Sequence, residues 1–168
     1  YIEDLEKTAA FLFLIRPRRF GKSLFLNMLN CYYDVKYADR FEELFGNQYI
    51  GKHPTAEQGK YLVLRFNFSM VRATDDKLEA AFNRHISLET AYFASVYASY
   101  FKPDFQEQLK LIPEAAGRLE YICLCAKEQG LSIYLLIDEY DNFTNTILSS
   151  KGNDVYHSLT HDSGFYRS

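Results

Sequence analysis

Residues 11–24 read FLFLIRPRRFGKSL, and this stretch is the strongest indication of the fold in the sequence. It opens with an apolar block, residues 11–15, that has the length of a buried parallel strand. Pro17 marks a turn, and from Lys22 the apolar residues recur at the spacing of a helix that reaches about Tyr33. A strand, a turn, Gly-Lys-Ser and a helix follow one another in the order that a phosphate-binding loop requires.

The turn and the start of the predicted helix carry the groups that bind nucleotide phosphates. Backbone N–H groups and the helix N-terminus attract anions, and Gly21 lets the backbone approach because it has no Cβ. Lys22 reaches the β- and γ-phosphates, and the hydroxyl of Ser23 takes one Mg²⁺ position. We therefore predict a site for ATP and Mg²⁺. The predicted nucleotide contacts are Arg18, Arg19, Phe20, Gly21, Lys22, Ser23 and Leu24.

The first position of the loop departs from the pattern G-x-x-x-x-G-K-[ST]. Arg16 stands where the pattern has its first Gly. This predicts a different backbone path at the start of the loop, helped by the fixed φ of Pro17. Arg16, Arg18 and Arg19 also add positive charge, and one of them is a candidate clamp on the γ-phosphate. Gly-Lys-Ser alone is a weak signal, and the alternative interpretation is a basic turn before a surface helix.

A second motif follows the apolar block IYLLI of residues 133–137. We predict that this block is a strand and that Asp138, at its end, holds Mg²⁺ mostly through water. Glu139 would orient and activate the attacking water, so Lys22 and Glu139 are the predicted catalytic residues. Glu directly after Asp is typical of phosphate-loop proteins that hydrolyse ATP. The alternative is a buried strand followed by a solvated acidic turn.

Helices and one further strand separate these motifs. The predicted helices are 41–45, 75–101, 103–111, one from Pro113 to about Gly130, 143–148, and a short one after Asp154. The predicted strand is 61–68, and residues 46–60 and 149–153 are predicted loops. Strands that alternate with helices predict an α/β fold with a mainly parallel sheet.

Composition limits the class of protein. The 168 residues fit one domain, and the net charge of −3 argues against a module that holds nucleic acid by electrostatics alone. The three cysteines, Cys31, Cys123 and Cys125, have no metal-binding spacing and predict reduced thiols in a cytoplasmic protein. The apolar run at the start is far shorter than the ~20 residues that cross a bilayer. We expect no membrane partner.

Residues 16–24 resemble the signature of the predicted AAA-ATPase-like family of bacteria. Residues 136–141 (LIDEYD), 41–45 and the strand before Ser69 resemble that family as well, so the resemblance covers essentially the whole chain. It implies a P-loop ATPase domain over residues 1–168, folded as a three-layer sandwich, and it accounts for the missing first Gly. Family members often carry a C-terminal nuclease-like domain of the PD-(D/E)XK type. The implied partner is that domain, with nucleic acid reached only through it.

The resemblance also implies that the chain is an incomplete piece, truncated at both ends. Family members are usually longer, and the family's Val-Asp-Lys-Thr segment would lie before Tyr1. No clear candidate precedes Ser168 for the strand that such ATPases insert beside the phosphate-loop strand. Two functions stay open: ATP hydrolysis that moves a partner domain, or nucleotide sensing with little or no hydrolysis. A small-molecule phosphotransferase and a structural helical module are weaker alternatives.

Overall fold

The computed structural model describes residues 1–8, 11–15, 20–71 and 78–141. The helices of this part are α1 (Ile2–Thr8), α2 (Lys22–Tyr33), α3 (Phe41–Phe45), α4 (Tyr49–Lys52), α5 (Leu78–Val96), α6 (Phe105–Leu111) and α7 (Ala115–Glu128). Short 3-10 helices cover Val35–Arg40, Phe68–Met70 and Ala98–Tyr100. Strands β1 (Tyr61–Asn67) and β2 (Ser132–Asp138) pair in parallel and form the sheet of the described residues. The protein is therefore mixed α/β, as the sequence predicted.

Helix α2 begins and ends where the sequence predicted. Its buried residues Leu26, Leu29 and Tyr33 recur at three- to four-residue intervals, which places them on one side of the helix. Asp34 caps the end of the helix, and its side chain accepts a hydrogen bond from the N–H of Lys36 at 3.0 Å, which starts the next turn. The predictions for α3, β1, α6 and β2 are also confirmed, with small shifts at their ends.

The predicted strand at residues 11–15 is wrong. These residues lie outside regular secondary structure, and Phe11, Phe13 and Ile15 are 89%, 81% and 85% exposed. A strand needs a neighbour that shares its backbone hydrogen bonds, and the sheet of the described residues contains only β1 and β2. The apolar run alone could not specify that neighbour, because strand pairing is a long-range property of the chain.

One further helix and two helix boundaries also differ from the predictions. Helix α4 lies inside the predicted loop 46–60, where Gly51 is held against the backbone of α3 so closely that a Cβ would clash with the carbonyl of Phe45. Helix α5 ends at Val96 rather than near residue 101. Helix α7 begins at Ala115, two residues after Pro113. The predictions for 16–19, 75–77 and 142–168 fall outside the described residues.

The described residues form two compact units. The first unit holds Tyr1–Val63 and Gly130–Leu136, and the second holds Leu64–Gln129 with the described residues after Leu136. The core of the first unit joins α1, α2, α3 and the strands. Its buried members are Ile2, Leu26, Leu29, Tyr32, Tyr33, Phe45, Val63 and Leu136.

Ring contacts and hydrogen bonds of tyrosines stabilise the first unit. The ring of Tyr33 stacks on that of Tyr134, with 4.5 Å between centroids, and meets Tyr61 edge-on. The Tyr33 hydroxyl donates to the Glu6 carboxylate at 3.0 Å, and the Thr55 hydroxyl donates to the same oxygen at 2.8 Å. Burial raises the pKa of Tyr33 well above its usual range. The network fastens α1 to the C-terminal end of α2.

The second unit packs α5, α6 and α7 around aromatic and aliphatic side chains. Phe101 and Phe105 stack at 3.9 Å between centroids, and Leu109 of α6 and Ile122 of α7 are fully buried. Arg118 is also buried, because its Nε donates to the carbonyl of Ile112 at 2.7 Å. Burial lowers the pKa of this guanidinium.

Candidate nucleotide site

Gly21 starts helix α2 in a left-handed conformation, with φ 73° and ψ 22°. Its carbonyl accepts the N–H of Phe25 at 2.9 Å, which is the first hydrogen bond of the helix. A Cβ on Gly21 would meet no heavy atom within 4 Å, so the positive φ is the reason that glycine suits this position. The first turn carries no acidic side chain. Helix α2 therefore has no carboxylate of its own at its positive end.

The predicted phosphate-binding residues that the structure describes lie together at this end of α2. Gly21, Lys22, Ser23 and Leu24 occupy the N-cap and the first turn, and Phe20 directly precedes them. Ser23 is exposed and Lys22 is half-buried, while the Phe20 ring is 68% exposed. Arg16, Arg18 and Arg19 lie outside the described residues. Backbone amides and a lysine at a helix N-terminus are among the groups that phosphate loops use.

Asp138 occupies the end of β2 and is only 1% exposed. Burial alternates along the last part of the strand, so Leu136 and Asp138 are buried while Ile137 between them is exposed. The two carboxylate oxygens of Asp138 have different partners. Oδ1 accepts the backbone N–H of Glu139 at 3.0 Å, and Oδ2 lies 3.5 Å from Nη2 of Arg65.

Arg65 was not singled out by the sequence analysis. It lies on β1 between the buried residues Leu64 and Phe66 and is itself partly exposed. A charged residue inside an apolar strand indicates an ion pair, because a buried or half-buried charge requires an opposite charge. The sequence did not identify that partner, since it depends on β1 and β2 being neighbours.

Glu139 has a positive φ of 56°, which the structure otherwise gives, among the described residues, only to glycines. A left-handed conformation costs a residue with a Cβ about 1–2 kcal/mol. The N–H of Glu139 is held by the carboxylate of Asp138, which offsets part of this cost. Strained residues of this kind cluster at functional sites, because the surrounding structure fixes them in place.

Asp138 and Ser23, each within its own unit, carry oxygen atoms of the kind that Mg²⁺ accepts as ligands. The described residues contain no group of three or more His, Cys, Asp and Glu side chains that could hold a metal by themselves. Mg²⁺ in nucleotide sites uses one or two carboxylates plus phosphate oxygens and water. Asp138 offers a buried carboxylate and Ser23 an exposed hydroxyl, and both are the hard donors that Mg²⁺ prefers. Gly21–Leu24 belong to the first unit, whereas Asp138 and Glu139 belong to the second.

These features define a mixed α/β protein with a phosphate-loop sequence before one helix and an acidic pair at a strand end. The chain belongs to the family described as predicted AAA-ATPase, whose sequence profile matches residues 1–168. The resemblance seen in the sequence motifs is thereby confirmed. No curated protein and no solved structure matches the chain. None of the described helices combines the length and the apolar character that crossing a membrane would need.

Proposed function

We propose that this chain binds ATP with Mg²⁺ and hydrolyses it as a P-loop ATPase domain. The observation that carries the proposal is the start of α2, where a left-handed Gly21 is followed by Lys22 and Ser23. Membership of the predicted AAA-ATPase family over the whole chain supports it. In this proposal β1 and β2 are two strands of a three-layer sandwich with a mainly parallel sheet.

The proposed binding role belongs to the positive end of α2. Backbone amides of Gly21 and its neighbours donate to phosphate oxygens, and Lys22 adds its charge to the β- and γ-phosphates. Phe20 and Leu24 contact the nucleotide beside them, and Arg18 and Arg19 add positive charge. The absence of an acidic residue in the first turn of α2 supports this role, because a carboxylate there would repel the phosphates.

The proposed chemical role belongs to the acidic pair after β2. Asp138 and Ser23 hold Mg²⁺, which neutralises charge on the phosphates when it is bound. Glu139 accepts a proton from the attacking water and orients it. The positive φ of Glu139 supports this role. The hydrogen bond to Asp138 fixes this strained backbone, and with it the position from which the Glu139 side chain extends.

Calorimetric titration with ATP and MgCl₂ tests the binding role. Lys22→Ala should weaken ATP binding by about 10- to 100-fold, because it removes a charged hydrogen bond to the phosphates. Lys110→Ala is the matched control, since Lys110 is an exposed lysine in the last turn of α6. Equal affinities of the parent chain and Lys22→Ala would contradict the proposed binding site.

Phosphate release from ATP tests the chemical role. Glu139→Gln should keep ATP affinity and slow hydrolysis by about 10²- to 10⁴-fold, because the amide cannot accept the proton. If Glu139→Gln abolished ATP binding as well, the role given to Glu139 would be wrong.

We further propose that hydrolysis occurs in the cytoplasm and acts on a C-terminal nuclease-like domain of the kind that the resemblance implies.

Nucleotide sensing with little or no hydrolysis is the second candidate function. The observation that favours it is the position of Arg65, which already places a positive charge next to Asp138. A metal at Asp138 would be repelled by that charge and would bind more weakly. Weaker metal binding favours slow hydrolysis. Parent and Glu139→Gln chains with equal, barely measurable hydrolysis but intact ATP binding would select this function over the first.

A further inference from the structure

His85 is an ionisable side chain that is buried among aromatic rings in the second unit. The residue lies on α5 and is 7% exposed. The centroid of its ring lies 5.9 Å from that of Phe68, and Phe68 stacks on Phe82 at 5.7 Å. In the part of the chain that the structure describes, Nε2 of His85 has no hydrogen-bond partner. The ring therefore has an aromatic neighbour but no acceptor at Nε2.

Protonation changes what the His85 ring requires from its surroundings. The neutral ring has one N–H donor, whereas the protonated ring has two donors and a full positive charge. A buried charge is costly unless it is paired and hydrogen-bonded, and Nε2 lacks a described partner where it lies. Burial accordingly lowers the pKa of His85 from its ordinary value of 6.5. The buried position therefore suits the neutral ring and opposes the charged one.

Glu89 lies one helical turn beyond His85 on α5 and is half-buried. Side chains four residues apart are neighbours on a helix surface, where opposite charges attract. The charge of Glu89 raises the pKa of His85, against the larger effect of burial. The 3-10 helix Phe68–Met70 has no ionisable residue in its sequence, and the guanidinium of Arg118, on α7, donates to Thr90. Glu89 is thus the acceptor for a protonated His85 that turns outward.

We propose that His85 is a proton-driven switch within the second unit: the neutral ring packs on Phe68, and the protonated ring turns outward to pair with Glu89. The switch is independent of the proposed nucleotide site. Its outward movement breaks one ring contact of Phe68, the residue that begins the 3-10 helix directly after β1. Phe68 keeps its contacts with Phe66 and Phe82. Acid therefore weakens, without abolishing, the packing of this segment on α5.

NMR spectroscopy of the parent chain over a pH series tests the movement without a substitution. The nuclear Overhauser effect between the rings of His85 and Phe68 should fade as the pH falls below 6.5, in step with protonation of His85. The same effect between Phe101 and Phe105, which stack elsewhere in the unit, should persist and so distinguish a local movement from global unfolding. A His85–Phe68 effect that survives protonation of His85 would overturn the switch.

Urea unfolding at each pH provides a second readout. Because the pKa of His85 is lower in the folded chain, the unfolded chain binds more protons at acidic pH. The stability that the neutral ring contributes is fully present above pH 6.5 and is lost as the pH falls from there towards the folded pKa. From pH 7 to pH 5, the folding equilibrium constant of the parent should fall by roughly 3- to 10-fold more than those of His85→Leu and His85→Gln, which cannot titrate.

Two further variants test the specificity and the acceptor. His53→Gln replaces an exposed histidine at the end of α4 and should keep the acid loss of the parent. Glu89→Gln should increase that loss by about 1.5- to 2-fold, the size of one such pair on a helix. In a chain that already carries His85→Leu, Glu89→Gln should have no such effect.

The outcomes separate the two parts of the switch. Equal acid losses in the parent and in both neutral variants of His85 would overturn the role of His85. An acid loss that Glu89→Gln leaves unchanged would overturn Glu89 as the acceptor of the outward ring.

Discussion

Glu139 combines a proposed chemical role with an unfavourable backbone conformation. Its φ of 56° lies in the left-handed region, and the neighbouring carboxylate of Asp138 holds its N–H at 3.0 Å. A side chain on such a backbone has few ways to relax, because the turn is fixed on one side by β2. Stability and the proposed chemical role therefore make opposite demands on this residue.

Comparing Glu139→Gly with Glu139→Ala isolates that conformational cost. Both variants lose the carboxylate, but only glycine adopts a positive φ freely. We expect Glu139→Gly to be more stable by about 1 kcal/mol, measured as the free energy of unfolding in urea. The same pair at Glu120, an exposed residue inside α7, should show the opposite order by about 1 kcal/mol. The same order at both positions would contradict a strained Glu139.

At the scale of elements, the success of the sequence predictions follows the range of the interactions involved. The apolar spacing within α2 and the Gly21-Lys22-Ser23 start are local properties, and the structure has the helix at Lys22–Tyr33. The pairing of Arg65 with Asp138 joins positions that are far apart in the chain, and the sequence analysis missed it. The nucleotide-binding roles of Lys22 and its neighbours remain predictions, which the titration with ATP tests.

Helix α6 allows a clean test of which apolar side chains stabilise the second unit. Leu109 is 1% exposed and Leu111, on the same helix, is 75% exposed. Leu109→Ala should lower the free energy of unfolding by about 2–5 kcal/mol, because it opens a cavity in the core. Leu111→Ala should change it by less than about 0.5 kcal/mol. Urea unfolding followed by circular dichroism measures both, and similar losses would contradict the packing described for α6.

At the scale of the whole molecule, tyrosine is unusually important, with 14 in 168 residues. In several tyrosines the folded structure raises the pKa of the hydroxyl. The hydrogen bond from the Tyr61 hydroxyl to Glu57, at 2.5 Å, together with burial, raises the pKa of Tyr61 to about 12. Burial also raises the pKa of Tyr33 and of Tyr134. The protein should therefore be sensitive to alkaline conditions.

The direction of the pH effect follows from proton binding. An unfolded tyrosine ionises near a pKa of about 10, so the unfolded chain loses protons that the folded chain keeps. The stability that Tyr61 contributes is fully present below about pH 10 and is lost as the pH rises towards 12. Between pH 9 and pH 11.5, Tyr61→Phe should therefore lose less free energy of unfolding than the parent chain. The difference should be what one titrating group accounts for, ~1 kcal/mol per pH unit, and urea unfolding at each pH measures it.

Tyr49→Phe provides the control for this pH series. Tyr49 is 74% exposed, and its removal should leave the alkaline loss of stability as it is in the parent chain. If Tyr61→Phe and the parent lost their urea midpoints in parallel, the proton of Tyr61 would not be coupled to folding. The hydrogen bond to Glu57 would then contribute to local geometry alone.

The exposed apolar segment of residues 11–15 has a consequence for self-association. Residues 11–15 read FLFLI, carry no charge and lie outside any strand, with Phe11, Phe13 and Ile15 open to solvent. Short uncharged apolar segments of this kind readily add edge to edge between chains as the protein concentration rises. Arg16 and Pro17 follow directly in the sequence, and a charge and a proline are the residue types that interrupt such growth. In the sequence, a charge and a proline thus stand directly after the apolar run, at the place where such residue types limit association between chains.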